Sequence, residues 1–285
     1  AKYTNLVLTL LFNAVLSRIL TPEDYGIVAV ISVFTVLFQQ FADMGFGTAV
    51  IQNRDLTKKD IDNIFSMTVY FAVILATVFF LFSYPISLLY NNLVYIKLGL
   101  ILSGSLFFTT LNMIPNAVLM RNHEFSLAGK RIVIVSLISY AITVILAIND
   151  YKYYSLALQS LIFSTINFLW NYSYSRNKFY FRFNLNSIKM VFGYSMYQFG
   201  ASFINYFQRN LDNLLIGRFI GSIQLGFYNK SYTLANYPIS NVTMVISPVL
   251  HPIFAARQDD KEFIHEKYIS VIKILSLIGV FASVL

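Results

Sequence analysis

No cysteine occurs in the 285 residues of this chain. That excludes a disulfide framework, a thiol nucleophile and any cysteine-held metal centre. Charge is nearly as scarce. Asp, Glu, Lys and Arg together make up 12 % of the sequence, against roughly 25 % in a soluble domain. So few charges cannot cover a water-exposed globule of this size. The histidines, His123, His251 and His265, lack metal-ligand spacing. No cofactor signature is present, and no GxxxxGK[ST] phosphate loop supplies an ATP-driven motor. What remains is apolar: 57 % of residues are hydrophobic and 17 % aromatic, and the mean hydropathy is +0.62. A disordered chain and an ordinary soluble enzyme are both excluded. The composition is that of an all-α, polytopic membrane protein.

Apolar segments of spanning length are predicted near Tyr3–Leu20, Tyr25–Ile51, Ile64–Tyr90, Ile96–Met120, Ile132–Ile148, Tyr153–Tyr172, Val191–Phe219 and Gly226–Ala255, with a ninth opening near Tyr268. They are continuous and about twice the length of the ~10-residue alternating strands of a membrane barrel. Loops after even-numbered segments hold thirteen basic residues, Arg121, Lys130 and Arg131 among them; loops after odd-numbered segments hold two, Lys97 and Lys152. The asymmetry predicts a cytoplasmic N-terminus. The start at Ala1 and the stop at Leu285 inside an apolar run predict a piece of a longer protein. Residues 173–190 (SYSRNKFYFRFNLNSIKM) interleave basic and aromatic side chains. That pattern predicts a cytoplasmic segment lying on an anionic leaflet rather than a nucleic-acid surface. The segment separates an N-lobe, residues 1–172, from a partial C-lobe, residues 191–285.

A shift of 200 residues superposes Asn5 on Asn205, Leu11 on Leu211, Asn13 on Asn213, Arg18 on Arg218 and Gly26 on Gly226. Six segments separate the copies, so both cross in the same direction. Parallel repeats of this kind build two-lobed transporters. On the seventh segment Gln198, Ser202, Asn205, Arg209 and Asp212 share one helical face. On the first, Asn5, Thr9, Asn13 and Ser17 do the same. Lipid penalises such stripes, so they are expected to face each other or a wet cavity. Arg209 lies mid-segment, where a cation costs about 2.5–3.5 kcal/mol on insertion scales. It is read as an anion site, with pairing to Asp212 as the structural alternative. Arg18 and Arg218 close their segments, either in the cavity or snorkelling to the interface. Asp43 is a gate contact, a coupling-ion site or a helix-end cap.

The run Leu16-Ser-Arg-Ile-Leu-Thr-Pro-Glu-Asp-Tyr-Gly26, followed by Phe41-Ala-Asp-Met-Gly45, resembles the polysaccharide-biosynthesis flippases of the multidrug/oligosaccharidyl-lipid/polysaccharide exporter superfamily, most of all their lipopolysaccharide and teichuronic-acid branch. Residues Asp212–Tyr228 and Ser247–Pro252 resemble that branch's second lobe. The resemblance implies two six-helix lobes, the second truncated here, in a bacterial inner membrane. It also implies alternating access around a cationic cavity. The substrate would be a polyprenyl-diphosphate-linked oligosaccharide, with Arg209 on the diphosphate, assisted by Asn205, Gln208 and Asn13. A polysaccharide polymerase and glycosyltransferases would be neighbours. Three rival functions stay open. A drug or cation antiporter of the same superfamily would rely on membrane carboxylates, for which only Asp43 and Asp212 qualify. A membrane glycosyltransferase or acyltransferase would need a catalytic His or Asp at a membrane face. A non-transporting scaffold would need neither.

Overall fold

A computed structural model describes residues 2–43, 46–53, 55–181 and 185–236, and scattered residues between 262 and 280. Eight helices are bounded: α1 (Lys2–Ile19), α2 (Pro22–Asp43), α3 (Phe46–Gln52), α4 (Lys58–Leu89), α5 (Val94–Arg121), α6 (Phe125–Ile148), α7 (Tyr153–Ser175) and α8 (Leu185–Phe219). A further helix, α9, runs over residues 222–236. No strand occurs among the described residues. Residues Ala1–Phe227 form one compact unit and Tyr228–Leu285 another.

The helix starts follow from local chemistry. At α4 the Thr57 hydroxyl accepts from the Asp60 backbone N–H (3.3 Å), and the Asp60 carboxylate accepts from the Thr57 N–H (3.0 Å). This reciprocal box satisfies two otherwise orphaned donors. The motif Thr21-Pro-Glu-Asp24 repeats the device at α2. The Thr21 N–H donates to Asp24 (2.9 Å) and the Asp24 N–H to the Thr21 hydroxyl (3.2 Å). Pro22 takes the first helical position, where its missing N–H costs nothing. Glu23 and Asp24 place acidic charge at the positive end of the helix.

Helix α5 is the hub, packing on α4, α7, α3 and α2. Phe46, Val50, Ile61, Ile64, Phe65 and Ile114 make a continuous apolar cluster where α3, α4 and α5 meet. Val73, Ile74, Val78 and Leu81 on α4, and Ile134, Leu137, Ile138 and Ile145 on α6, are exposed. Apolar residues turned outward and polar ones turned inward suit a lipid surround.

Four helical stretches are long and apolar enough to cross a membrane: Pro22–Gln52, Lys58–Leu89, Val94–Arg121 and Phe125–Ile148. The protein is an all-α, multi-pass membrane protein. The second predicted segment corresponds to α2 and α3, which together make up the stretch Pro22–Gln52; Met44 and Gly45 lie outside the described residues. The sixth corresponds to α7, which falls short of a spanning hydropathy. Its Ser155, Ser164, Asn167 and Asn171 lower the average, and all four are buried within the protein rather than turned to the outside.

Candidate functional site

Helix α8 lies along α2 in the opposite direction. From one end to the other, Gly217 packs on Val30, the Tyr206 hydroxyl donates to the Val33 carbonyl (2.9 Å), and the Phe203 ring meets Phe41 (5.8 Å). Tyr90, just beyond α4, donates from its hydroxyl to the Leu214 carbonyl (3.4 Å). Burial raises the phenol's pKa, and the nearby Arg218 guanidinium works against that rise.

Beyond the end of α8 the chain turns at Gly221, whose φ of +125° few other residues adopt. Two glycines then permit a backbone-to-backbone crossing. A Cβ on Gly26 would overlap the carbonyl of Ser222, and a Cβ on Gly226 would overlap the carbonyl of Pro22. That second Cβ would also stand 3.2 Å from the Gly26 nitrogen. Under the 200-residue shift Pro22 corresponds to Ser222 and Gly26 to Gly226. The contacts are therefore exchanged between equivalent positions, the pattern a two-fold axis produces. Gly217 and Gly221 have the four-residue spacing of a helix-contact pair, but Gly221 lies in the turn and not on α8.

The polar stripe of α8 flanks this interface. Tyr206, Asn213 and Gly217 are buried, while Asn205, Gln208 and Arg209 are exposed and Asp212 is half-buried. At about 100° per residue, Arg209 stands roughly 60° from the line of Tyr206, Asn213 and Gly217. Asp212 accepts from the Asn213 N–H (2.8 Å). The side chains of Gln198 and Ser202, and that of Asp43 at the end of α2, lie outside the described residues.

On α1 three of the four stripe residues bond back within the helix, while the buried Asn5 Oδ1 has no hydrogen-bond partner. Thr9, Asn13 and Ser17 donate to the carbonyls four residues back, at 2.8, 2.9 and 2.6 Å. Tyr140 of α6 stacks on Phe12 (4.8 Å) and donates to Thr9 (3.3 Å). Asn13 is half-buried on α1, which packs on α6. Arg18 and Arg218 are exposed at their helix ends.

A second polar centre lies between α5, α6 and α7. Arg131 is 4 % exposed. Its guanidinium donates to Asn116 (3.2 Å) and to Asn171, and the Asn171 amide donates in turn to Asn112 (2.7 Å). The Arg131 Nε and the Ser139 hydroxyl are buried without a hydrogen-bond partner. Arg131 lines a cavity of about 590 Å³ together with Gln39, Tyr140 and Gln159. A neighbouring cavity of about 440 Å³ shares Gln39, Thr109, Asn112 and Asn116 with it. By its place in the sequence Arg131 counts among the loop cations. The structure puts it inside α6, which begins at Phe125. The signal that could have found this centre is two amide pairs at helical i, i+4 spacing in apolar segments, Asn112/Asn116 and Asn167/Asn171.

The residues after α7 are strapped to α4. Asn177 (3.2 Å) and the Lys178 N–H (3.0 Å) donate to Asp62, the Tyr180 N–H donates to Ser66 (2.9 Å), and Tyr70 donates to the Phe181 carbonyl (3.2 Å). Asp62, Ser66 and Tyr70 are four apart on one helical face. Asp62 is 2 % exposed. Removing its carboxylate leaves two donors unpaired, at about 1.5–3 kcal/mol per charged hydrogen bond. Asp62→Ala is therefore expected to make trypsin cut after Arg176 and Lys178 roughly a hundredfold or more faster in the solubilised full-length protein. Asp62→Asn, which keeps an acceptor, should stay near wild type. Equal cleavage rates in all three proteins would refute the strap.

The family model described as "Polysaccharide biosynthesis protein" matches residues 15–284. The chain belongs to the polysaccharide biosynthesis protein family. This agrees with the resemblance carried by Leu16–Gly26, whose Thr-Pro-Glu-Asp is the start of α2 and whose glycine makes the crossing. Over 98 % of the chain, it is 24 % identical to the teichuronic acid biosynthesis protein TuaB of Bacillus subtilis (strain 168), covering 59 % of that protein. It is 26 % identical over 98 % of its length to an uncharacterized membrane protein in the cps region of Klebsiella pneumoniae, covering 58 %. It is 25 % identical over 93 % of its length to the lipopolysaccharide biosynthesis protein WzxC of Escherichia coli (strain K12), covering 54 %. This family member thus spans little more than half the length of these relatives. No solved structure matches it.

Proposed function

We propose that the protein moves polyprenyl-diphosphate-linked oligosaccharide across the bacterial inner membrane by alternating access, without acting as an enzyme. Family membership supports a role in polysaccharide export. The observation that carries the transport reading is the exchanged glycine crossing, with an exposed polar stripe beside it. Two repeats meeting on a two-fold axis have a natural pivot where their backbones touch. A cleft opening beside that pivot would be lined by Arg209, Asn205 and Gln208, with Asp212, Asn13, Arg18 and Arg218 at its margins.

Diphosphate needs its charge compensated away from bulk water, and a planar guanidinium with amide donors does that. The polyprenyl tail would stay in lipid while the sugars occupy the cleft. Asp43, at the end of α2, would act at the gate or in ion coupling. The excess of basic residues in alternate loops supports a cytoplasmic N-terminus. On that orientation the Gly26–Gly226 crossing closes the outer side, and the Asp62 strap lies on the cytoplasmic side. Residues 1–172 and 191–285 would belong to the two lobes. Substrate would come from glycosyltransferases and pass to a polymerase.

Deletion of the gene is the test. A flippase mutant should lose surface polysaccharide and accumulate complete lipid-linked oligosaccharide on the inner leaflet. Accumulation of incomplete sugar chains instead would indicate a transferase and overturn the proposal.

A further inference from the structure

We infer that the cavity beside Arg131 is a second ligand site, one that binds a sugar bearing a carboxylate, such as a hexuronate. The inference rests on the proposed role in moving oligosaccharide. It names a sugar-recognising site separate from the α8 stripe. Polar cavities at membrane depth are costly, and they mark substrate or ion pathways. The chemistry of this one is specific. Gln39, Asn112, Asn116 and Gln159 offer amides that both donate and accept, as a polyhydroxylated ring requires. Tyr140 adds an aromatic face. The volume, about 590 Å³, falls in the range of small-molecule sites.

The charge decides the class of sugar. Arg131 is a buried cation whose hydrogen-bonded partners, Asn116 and Asn171, are neutral. No carboxylate lines the cavity among the described residues. A metal ion or an organic cation is repelled there. A neutral sugar satisfies the amides but leaves the guanidinium uncompensated. A hexuronate satisfies both, because its carboxylate supplies the missing counter-charge. Arg131 and Ser139 both line the cavity, and the Arg131 Nε and the Ser139 hydroxyl have no hydrogen-bond partner within the protein.

The test is the thermal stabilisation of purified full-length protein by D-glucuronate, D-glucose or potassium chloride, each titrated separately. Glucuronate should raise Tm with half-saturation at a concentration at least tenfold lower than glucose, and chloride should not reproduce the effect. Arg131→Gln should remove the tenfold preference, Arg131→Lys should keep part of it, and Arg209→Ala should leave it intact. Should Arg131→Gln not fold, Gln159→Leu replaces it and should weaken both sugars at least fivefold. The inference is overturned if glucuronate is no better than glucose, or if chloride matches it. It is equally overturned if the preference survives Arg131→Gln, or if Gln159→Leu changes neither sugar. If glucuronate fails to bind while the protein still moves lipid-linked oligosaccharide, this inference falls and the transport proposal stands. If an Arg131-dependent preference is found in a protein that does not transport, the reverse holds.

Discussion

Gly26→Ala is expected to lower surface polysaccharide to about a tenth of wild type or less, at equal abundance of the protein in the membrane. A single methyl group suffices because what it meets is the Ser222 carbonyl, main chain that cannot swing aside as a side chain can. Overpacking of this kind costs about 1–3 kcal/mol or more. That is enough to shift the population of a closed state tenfold or beyond. Gly226→Ala, against the Pro22 carbonyl, should behave alike, since the two contacts exchange under the repeat. Gly200 also lies on α8, but a Cβ there meets nothing within 4 Å. Gly200→Ala should therefore export normally. Quantifying surface polysaccharide against immunoblotted protein checks all three. Wild-type export by Gly26→Ala would show that the crossing has no part in the cycle.

Much of this is legible in the sequence, and what is not has physical reasons. Long apolar runs mark helices because the bilayer fixes their length. The Thr21-Pro-Glu-Asp24 start of α2 is readable from capping chemistry alone. The Gly26/Gly226 identity is visible, but not that the two glycines cross each other, since that depends on the return path of α8 against α2. Arg131 escapes because a cation next to Lys130, shortly after the polar run Arg121–Glu124, reads as loop. Only the helix start at Phe125, with His123 in a left-handed turn (φ 60°), carries it inside. The polar stripe of α1 predicts a partner or a cavity. Thr9, Asn13 and Ser17 also donate to carbonyls one turn back, and Thr9 meets Tyr140 of α6 as well, so helical spacing alone does not tell which stripe residues reach another helix.

Arg209→Ala should remove transport of lipid-linked oligosaccharide, lowering its rate about a hundredfold. Arg209 is exposed beside the α2–α8 interface, so its truncation leaves no buried group unpaired and should not unfold the protein. What it removes are two parallel charge-assisted hydrogen bonds to phosphate, each worth roughly a tenfold factor. Arg209→Lys keeps the charge but loses the fork and should fall between. Snorkelling alone would predict that lysine serves as well as arginine. The direct measurement places the full-length protein in sealed vesicles containing a fluorescent polyprenyl-diphosphate oligosaccharide and follows how fast the inner-leaflet pool reaches the outer leaflet. Wild type should equilibrate it far faster than protein-free vesicles, and Arg209→Ala should be about a hundredfold slower than wild type. A wild-type rate equal to that of empty vesicles, or an undiminished rate in Arg209→Ala, would contradict the account.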